Sequence, residues 1–328
     1  MFLPEYTITT GILKNITSVE YARAVIENTT ILPRWKKQLE KEVLVKFVQS
    51  VFGMEGMRVP ETLIKKIVDG LKGADSSFDK NLQRVLALNN AVSMADTELN
   101  LDENVLKGFY QAVMPNNKVT YRQSKVGGKI PPEEILAEVV ELMDWYNSLD
   151  ARETHPILRA GILRAWLVQL MPFENVNETM AGLVSAFALT LTYSEISKSV
   201  CLEEFYTKSW SEYTKAITSI DINEGDLTEW LEFYTGAFAS QAFTAKEKIL
   251  LLARDTKVAK VSGSVEITFR QERIVEYLQD YGLLQNRNFE SLFPDISEDS
   301  VLRDLKALMD KGIVVKRGKT KSSRYELR

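Results

Sequence analysis

Cysteine and histidine are almost missing from these 328 residues, which hold one of each, Cys201 and His155. A single thiol cannot close an intramolecular disulfide, and one Cys with one His cannot supply a four-ligand structural zinc site. No metal site is expected, and the composition suits a reducing compartment, the cytoplasm. Long apolar runs are also lacking. The longest nearly uncharged apolar stretch, Ala181 to Tyr193, falls short of the ~20 residues that span a bilayer, so it reads as a buried helix and no membrane partner is expected. The N-terminus has no basic region and carries Pro4 where a signal helix would start, so no secretory signal is expected. Neither sign of charge dominates, with 41 Lys and Arg facing 45 Asp and Glu. That balance argues against an overall nucleic-acid coat but leaves room for a local patch.

What is present is the pattern of a folded, mostly helical protein with length for roughly two domains. From Pro33, the residues Leu39, Val43, Leu44, Phe47, Val48 and Val51 recur at spacings of three and four, the mark of an amphipathic helix that stops near Gly53 and Gly56. Further helices are predicted from Pro60 to about Leu71, over Leu82–Ser93, Glu133–Ser148, Pro156–Leu170 and Met180–Thr192, and around Leu202–Ile217 and Leu227–Ala242. Residues 115–132 break the pattern with Pro115, Gly127, Gly128, Pro131 and Pro132, and read as a loop with short hairpin character. Beyond residue 245 the pattern changes. A helix over Gln271–Tyr281, a short one over Asn288–Phe293, one capped by Ser297, and then an alternating Ile313–Val315 and Arg324–Leu327 pair give three helices and a β-hairpin, the winged helix-turn-helix order.

The stretch Met171-Pro172-Phe173-Glu174-Asn175-Val176-Asn177-Glu178-Thr179, between two predicted helices, resembles the signature of the Fic (Fido-fold) family, His-Pro-Phe-x-Asp/Glu-Gly-Asn-Gly-Arg, at Pro172, Phe173 and Asn177. Its surroundings extend the resemblance over nearly the whole chain. Pro4–Thr10 looks like the opening of one Fic subgroup, Tyr121, Arg122 and Ser124 look like its flap, His155–Ala160 like the helix before the motif, and Gly225–Phe233 like the domain's last helix. The expected fold is therefore mainly α: an N-terminal helical extension over 1–75, a Fido-type helical domain over 76–244, and a winged helix-turn-helix with a β-hairpin wing over 245–328.

The resemblance implies transfer of AMP from ATP to a protein hydroxyl, and each motif residue has a physical task in that reaction. Met171 stands where the family has its general base, and a thioether cannot take the hydroxyl proton; losing such a base costs roughly 10²–10⁴-fold. Asn175 replaces the acid that holds Mg²⁺, and a neutral amide is a poorer ligand for that hard cation. Val176 and Glu178 replace the glycines of a phosphate nest, where backbone N–H groups and the helix dipole favour anions. Thr179 replaces the motif arginine, and Gly182 a second arginine. The expectation is a degenerate Fic protein, a pseudo-enzyme without cofactor, acting as a DNA- or protein-binding regulator. The alternative is an active protein adenylyltransferase using ATP with Mg²⁺ through a divergent site.

Glu55-Gly56 fits the end of the family's inhibitory motif, whose glutamate meets the motif arginine. Val51 stands where that motif has Ser or Thr, and with Thr179 replacing the arginine Glu55 is expected to lack that partner and to end its helix beside a Gly cap. His155 before Pro156 reads as a helix start, and Cys201 as a small buried residue. At the C-terminus, Lys311–Arg328 holds seven basic residues against Glu326 alone. Lys316, Arg317, Lys319, Lys321 and Arg324 on the hairpin, with Arg303 and Lys306 on the preceding helix, are the expected DNA contacts, made mainly to phosphates. A protein partner or a homo-oligomer is left open.

Overall fold

The computed structural model describes residues 2–29, 31, 33–69, 80–95, 100–127, 129–222, 224–261, 268–294, 296–318 and 324–327. The chain divides into two compact units, Met1–Ala253 and Arg254–Arg328. The first unit has one continuous core, into which the N-terminal helices pack together with the rest. Among the described residues no helix is long and apolar enough to cross a membrane.

The first unit opens with α1 (Thr10–Asn28), α2 (Pro33–Met54), α3 (Glu61–Val68), α4 (Lys80–Ala95) and α5 (Glu103–Val113). Helix α1 starts where Thr9 accepts a hydrogen bond from the Ile12 amide, and α5 where Asp102 accepts one from the Val105 amide; both satisfy donors that a helix start leaves open. Next come α6 (Ile135–Asn147), α7 (Leu149–Glu153), α8 (Pro156–Leu170) and α9 (Asn177–Thr190). The unit continues with α10 (Ser194–Ser197), α11 (Leu202–Lys208), α12 (Trp210–Ile222) and α13 (Thr228–Val261), the last running through residue 245 without a break. Residues 115–134 form no strand in their described part, so the hairpin character expected there is not realised.

Helices α8 and α9 are nearly all buried and form the centre of this unit. Helix α13 closes on α8 at Gly161: the Trp230 indole donates to the Gly161 carbonyl at 2.8 Å. A Cβ at Gly161 would come within 2.8 Å of the Tyr234 ring, so this approach of helix to helix needs the missing side chain. Tyr206, Tyr213, Trp230 and Tyr234 fill the surrounding core, each burying a large ring. Cys201 is buried, and that burial pushes its thiol pKa up, away from nucleophilic use.

The second unit holds α14 (Phe269–Tyr281), β1 (Leu284–Gln285), α15 (Phe289–Leu292), α16 (Glu298–Asp310), β2 (Val314–Arg317) and β3 (Arg324–Leu327). Its sheet is antiparallel with strand order β1-β3-β2, Leu284 facing Tyr325 and Val314 facing Leu327. Its own core gathers Ile274, Leu278, Leu284, Val301, Leu305, Leu308 and Tyr325. Thr268 and Gln271 form a reciprocal capping box at the start of α14. Ser297 stands at the N-cap position of α16, but its hydroxyl meets that of Ser300 and caps no backbone amide.

His155 starts α8 with Pro156 at the first helical position, its Nδ1 accepting from the Ile157 amide at 3.4 Å and its Nε2 lying 3.4 Å from a Glu20 carboxylate oxygen. Burial lowers its pKa below the ordinary 6.5 in spite of Glu20. The unfolded chain therefore takes up this proton first, so the residue's contribution is complete above pH 6.5 and declines as pH falls from there toward the folded-state value. Thermal unfolding midpoints measured from about pH 7 to about pH 5 are expected to fall more steeply for the wild type than for His155→Asn, which keeps a capping side chain without the titration.

Candidate functional site

The segment 171–176 joins α8 to α9 and takes its shape from its two ends. Met171 ends α8 in the left-handed region (φ 46°), and Val176 precedes α9 there too (φ 55°). A β-branched residue at such a φ is a genuine outlier, and Val176 is held in it while 4% exposed. Asn177 closes the loop: its amide donates to the Phe173 carbonyl at 2.8 Å and accepts from the Phe173 amide at 3.0 Å. Phe173 is buried and stacks on Tyr110, ring centroids 4.0 Å apart, with Tyr121 beside it at 5.7 Å. Pro172 and Phe173 thus pack, and the loop keeps a defined form without glycine.

Arg122 fixes the loop from outside. Its guanidinium, 1% exposed, donates to the carbonyls of Met171 at 2.8 Å, Ser124 at 2.9 Å and Leu170 at 3.4 Å, and also to that of Ile130. Its backbone amide donates to the Pro172 carbonyl at 2.9 Å. A cation here meets the unpaired carbonyls at the C-terminal end of α8, which favour positive charge. Glu174 adds a second clasp: one carboxylate oxygen accepts from the amides of Gln123 and Ser124, and the other from the Ser124 hydroxyl at 2.7 Å. The Ser124 hydroxyl and these two amides hold its carboxyl below the ordinary pKa. Tyr121 donates to Glu103 at 3.0 Å. Tyr121, Arg122 and Ser124 are therefore brought to the loop between α8 and α9.

The N-terminus of α9 is occupied by the chain's own carboxylate. Glu55, one residue beyond α2 and followed by Gly56 at φ +72°, accepts from the Thr179 hydroxyl at 3.0 Å and the Thr179 amide at 3.4 Å. Where the sequence leaves Glu55 with no partner, the fold gives it Thr179. Burial raises its pKa, and the nearby Glu178 carboxylate adds to that rise. Val176 provides no side-chain cap for α9, so Glu55 meets one of the open amides from a distant part of the chain.

Glu178 faces a buried network. It accepts from the Tyr213 hydroxyl at 2.6 Å and from Arg164 at 3.3 Å, and Arg164 also donates to Glu203 at 3.0 Å. Arg164 is 0% exposed and lies 4.7 Å from the Tyr206 ring centroid, a cation–π contact. Burial raises the Glu203 pKa, opposed by Arg164. Arg164, Glu203 and Tyr213 were not among the expected site residues. The available signal was Arg164 as the lone charge in the stretch 160–170, since a buried cation requires a partner.

Asn175, exposed, meets the Tyr110 hydroxyl at 3.5 Å. Among the described residues no group of three or more His, Cys, Asp or Glu side chains is placed to hold a metal. Toward the ATP and Mg²⁺ that the resemblance implies, the loop offers the Asn175 amide, and the start of α9 receives the Glu55 carboxylate, while Glu178 is paired with Arg164.

In the second unit, Arg317 and Arg324 both pair with Glu326, at 2.9 and 2.8 Å. Arg303 turns back to the Asp299 carbonyl and the Ser300 hydroxyl. Lys306 and Lys316 are exposed, the latter 5.7 Å from the Tyr325 ring centroid. Lys319 and Lys321 lie outside the described residues.

Removing the Arg122 guanidinium leaves several carbonyls without their donor. Arg122→Leu is expected to lower unfolding stability by about 3 kcal/mol, measured by chemical denaturation.

No protein-family model and no curated protein matches the sequence, but solved structures match the fold. A Fic family protein from Desulfovibrio desulfuricans G20 superposes with a TM-score of 0.65 at 16% identity, over 100% of this chain and 98% of that one. A Fic domain containing signaling protein from Bacteroides thetaiotaomicron VPI-5482 gives 0.58 at 17% identity, over 75% of this chain and 98% of its own. A fragment of Fic-1 from C. elegans gives 0.59 at 16% identity, over 73% of this chain and 71% of its own. The mainly α fold of this chain is the Fic, or Fido, fold.

Proposed function

We propose that this Fido-fold protein does not transfer AMP and acts instead as a binding regulator. The observation that carries this reading is the charge at the start of α9. A helix N-terminus that would cradle phosphates carries the Glu55 carboxylate on Thr179, with Glu178 beside it. The Glu55 carboxylate takes up the Thr179 amide that a phosphate would need and opposes a triphosphate, while the charge of Glu178 is paired with Arg164. Met171 adds to this, since its thioether cannot act as a general base. The defined shape of the loop is then a packing feature, supported by Phe173 against Tyr110 and by the Asn177 clasp.

The second unit supplies the binding surface in this reading. Its helix-strand-helix-helix-hairpin order and its β1-β3-β2 sheet support a winged helix-turn-helix whose hairpin meets a DNA backbone. Helix α16 supports sequence reading less well: Glu298 and Asp299 begin it, and Arg303 is engaged with its own helix. Phosphate contacts by the hairpin therefore dominate, with affinity falling as salt rises. The rival reading is an adenylyltransferase held inactive by Glu55, favoured by the left-handed Val176 that keeps the loop's form.

Two measurements separate these readings. Incubation with labelled ATP, Mg²⁺ or Mn²⁺ and lysate protein is expected to give no covalent labelling with the wild type or with Glu55→Gly. Labelling released by Glu55→Gly identifies a restrained enzyme and sinks the regulator reading. Arbitrary duplex DNA is expected to bind the full chain at low salt and weaken several-fold at higher salt; no binding at low salt removes the DNA role.

A further inference from the structure

The three-stranded sheet of the second unit has two unlike faces. Side chains alternate along a strand, and residues directly opposite each other across a ladder share a face. Val314 and Tyr325 belong to the core, so their cross-strand partners Leu327 and Lys316 share that side, where Lys316 lies over the Tyr325 ring. The outer face therefore receives Val315, Arg317, Arg324 and Glu326, with Gln285 of β1 opposite Arg324.

On that face the register sets two like charges directly opposite each other, Arg317 against Arg324, which destabilises a sheet unless something offsets it. Glu326 does so. One of its carboxylate oxygens lies 2.9 Å from the Arg317 Nε, and the other 2.8 Å from the Arg324 Nε. Bridged in this way, the two guanidiniums are held side by side, and the trio keeps one positive charge. Because Glu326 takes the Nε edge of each fork, the η nitrogens are left for a second acceptor. Both arginine side chains stand well out in water, 64% and 50% exposed.

We propose that this Glu326-bridged pair is the principal phosphate clamp of the second unit, gripping one phosphate of a DNA backbone between Arg317 and Arg324 on the outer face of the sheet. The inference rests on the DNA-binding reading above and narrows it from the whole basic hairpin to one arginine pair. Arginine forks meet phosphate oxygens through paired N–H donors, a geometry that a lysine ammonium does not reproduce. Lysines elsewhere on the hairpin add charge without that fit. A clamp of this kind positions the duplex and reads no bases.

The test follows a fluorescently labelled duplex of arbitrary sequence by anisotropy at low salt, with full-length variants whose thermal midpoints are measured alongside. Arg317→Gln, Arg324→Gln is expected to weaken binding at least about tenfold, and the charge-matched Lys319→Gln, Lys321→Gln about threefold or less. Arg317→Lys, Arg324→Lys keeps every charge and is still expected to lose about threefold or more. That lysine pair retains cationic partners for Glu326, so it carries the test if the glutamine pair melts early. Equal losses from the two glutamine pairs, or full affinity in the folded lysine pair, overturn the clamp while leaving DNA binding in place. A wild-type chain that binds no duplex at low salt overturns the DNA-binding reading, and the clamp with it.

Discussion

The buried guanidinium of Arg122 holds the segment between α8 and α9 in shape. Arg122 is nearly inaccessible to water and has no acid as its main partner; it is satisfied by main-chain carbonyls, including those of Leu170 and Met171 at the end of α8. Burying a cation is costly unless its donors are used, and here the helix end that needs donors supplies the acceptors. Because the Arg122 amide also reaches Pro172, the segment around Tyr121 and Ser124 cannot shift without moving the loop. The aromatic stack of Phe173 on Tyr110 and the Glu174 clasp then fall into place around one fixed point.

Charge at the other end of the loop runs opposite to what a phosphate site requires. Helix α9 begins without a capping side chain of its own, and the open amide at Thr179 receives Glu55 from 124 residues earlier. This contact ties the end of α2 to the motif helix and gives the first part of the chain a direct share in the central core. Glu178 is drawn inward by Tyr213 and Arg164. The site is thus organised around internal partners for its acids, with Glu55 on Thr179 and Glu178 on Tyr213 and Arg164.

Much of the fold was legible in the sequence, and the exceptions have physical reasons. Helix α2 showed a regular apolar stripe, and α8 was bounded correctly by Pro156 and Leu170. Helix α1 is hard to read because its Thr9 cap precedes only a weak apolar stripe, whereas α5 offers both the Asp102 cap and a stripe of Leu106, Phe109, Tyr110 and Val113 that the sequence reading passed over. Helix α13 continued well past Ala242 because nothing in its sequence terminates it there. The contact of Glu55 with Thr179, and that of Arg164 with two acids, could not be read at all: both join residues from different helices, and only the packed structure brings them together. Tyr121, Arg122 and Ser124 stood out by resemblance alone, and the contacts that the Arg122 guanidinium makes to main-chain carbonyls are visible only in the structure.

Gly182 carries a consequence for the packing of the buried ion pair. A Cβ at that position would lie 2.8 Å from a Glu203 carboxylate oxygen and 3.2 Å from an Arg164 nitrogen. The space that an arginine would need has been taken by a buried ion pair, so any larger residue must first break that pair. The Arg164–Glu203 pair therefore depends on the absence of a side chain at position 182, and the packing of α8 and α11 against α9 shares that dependence.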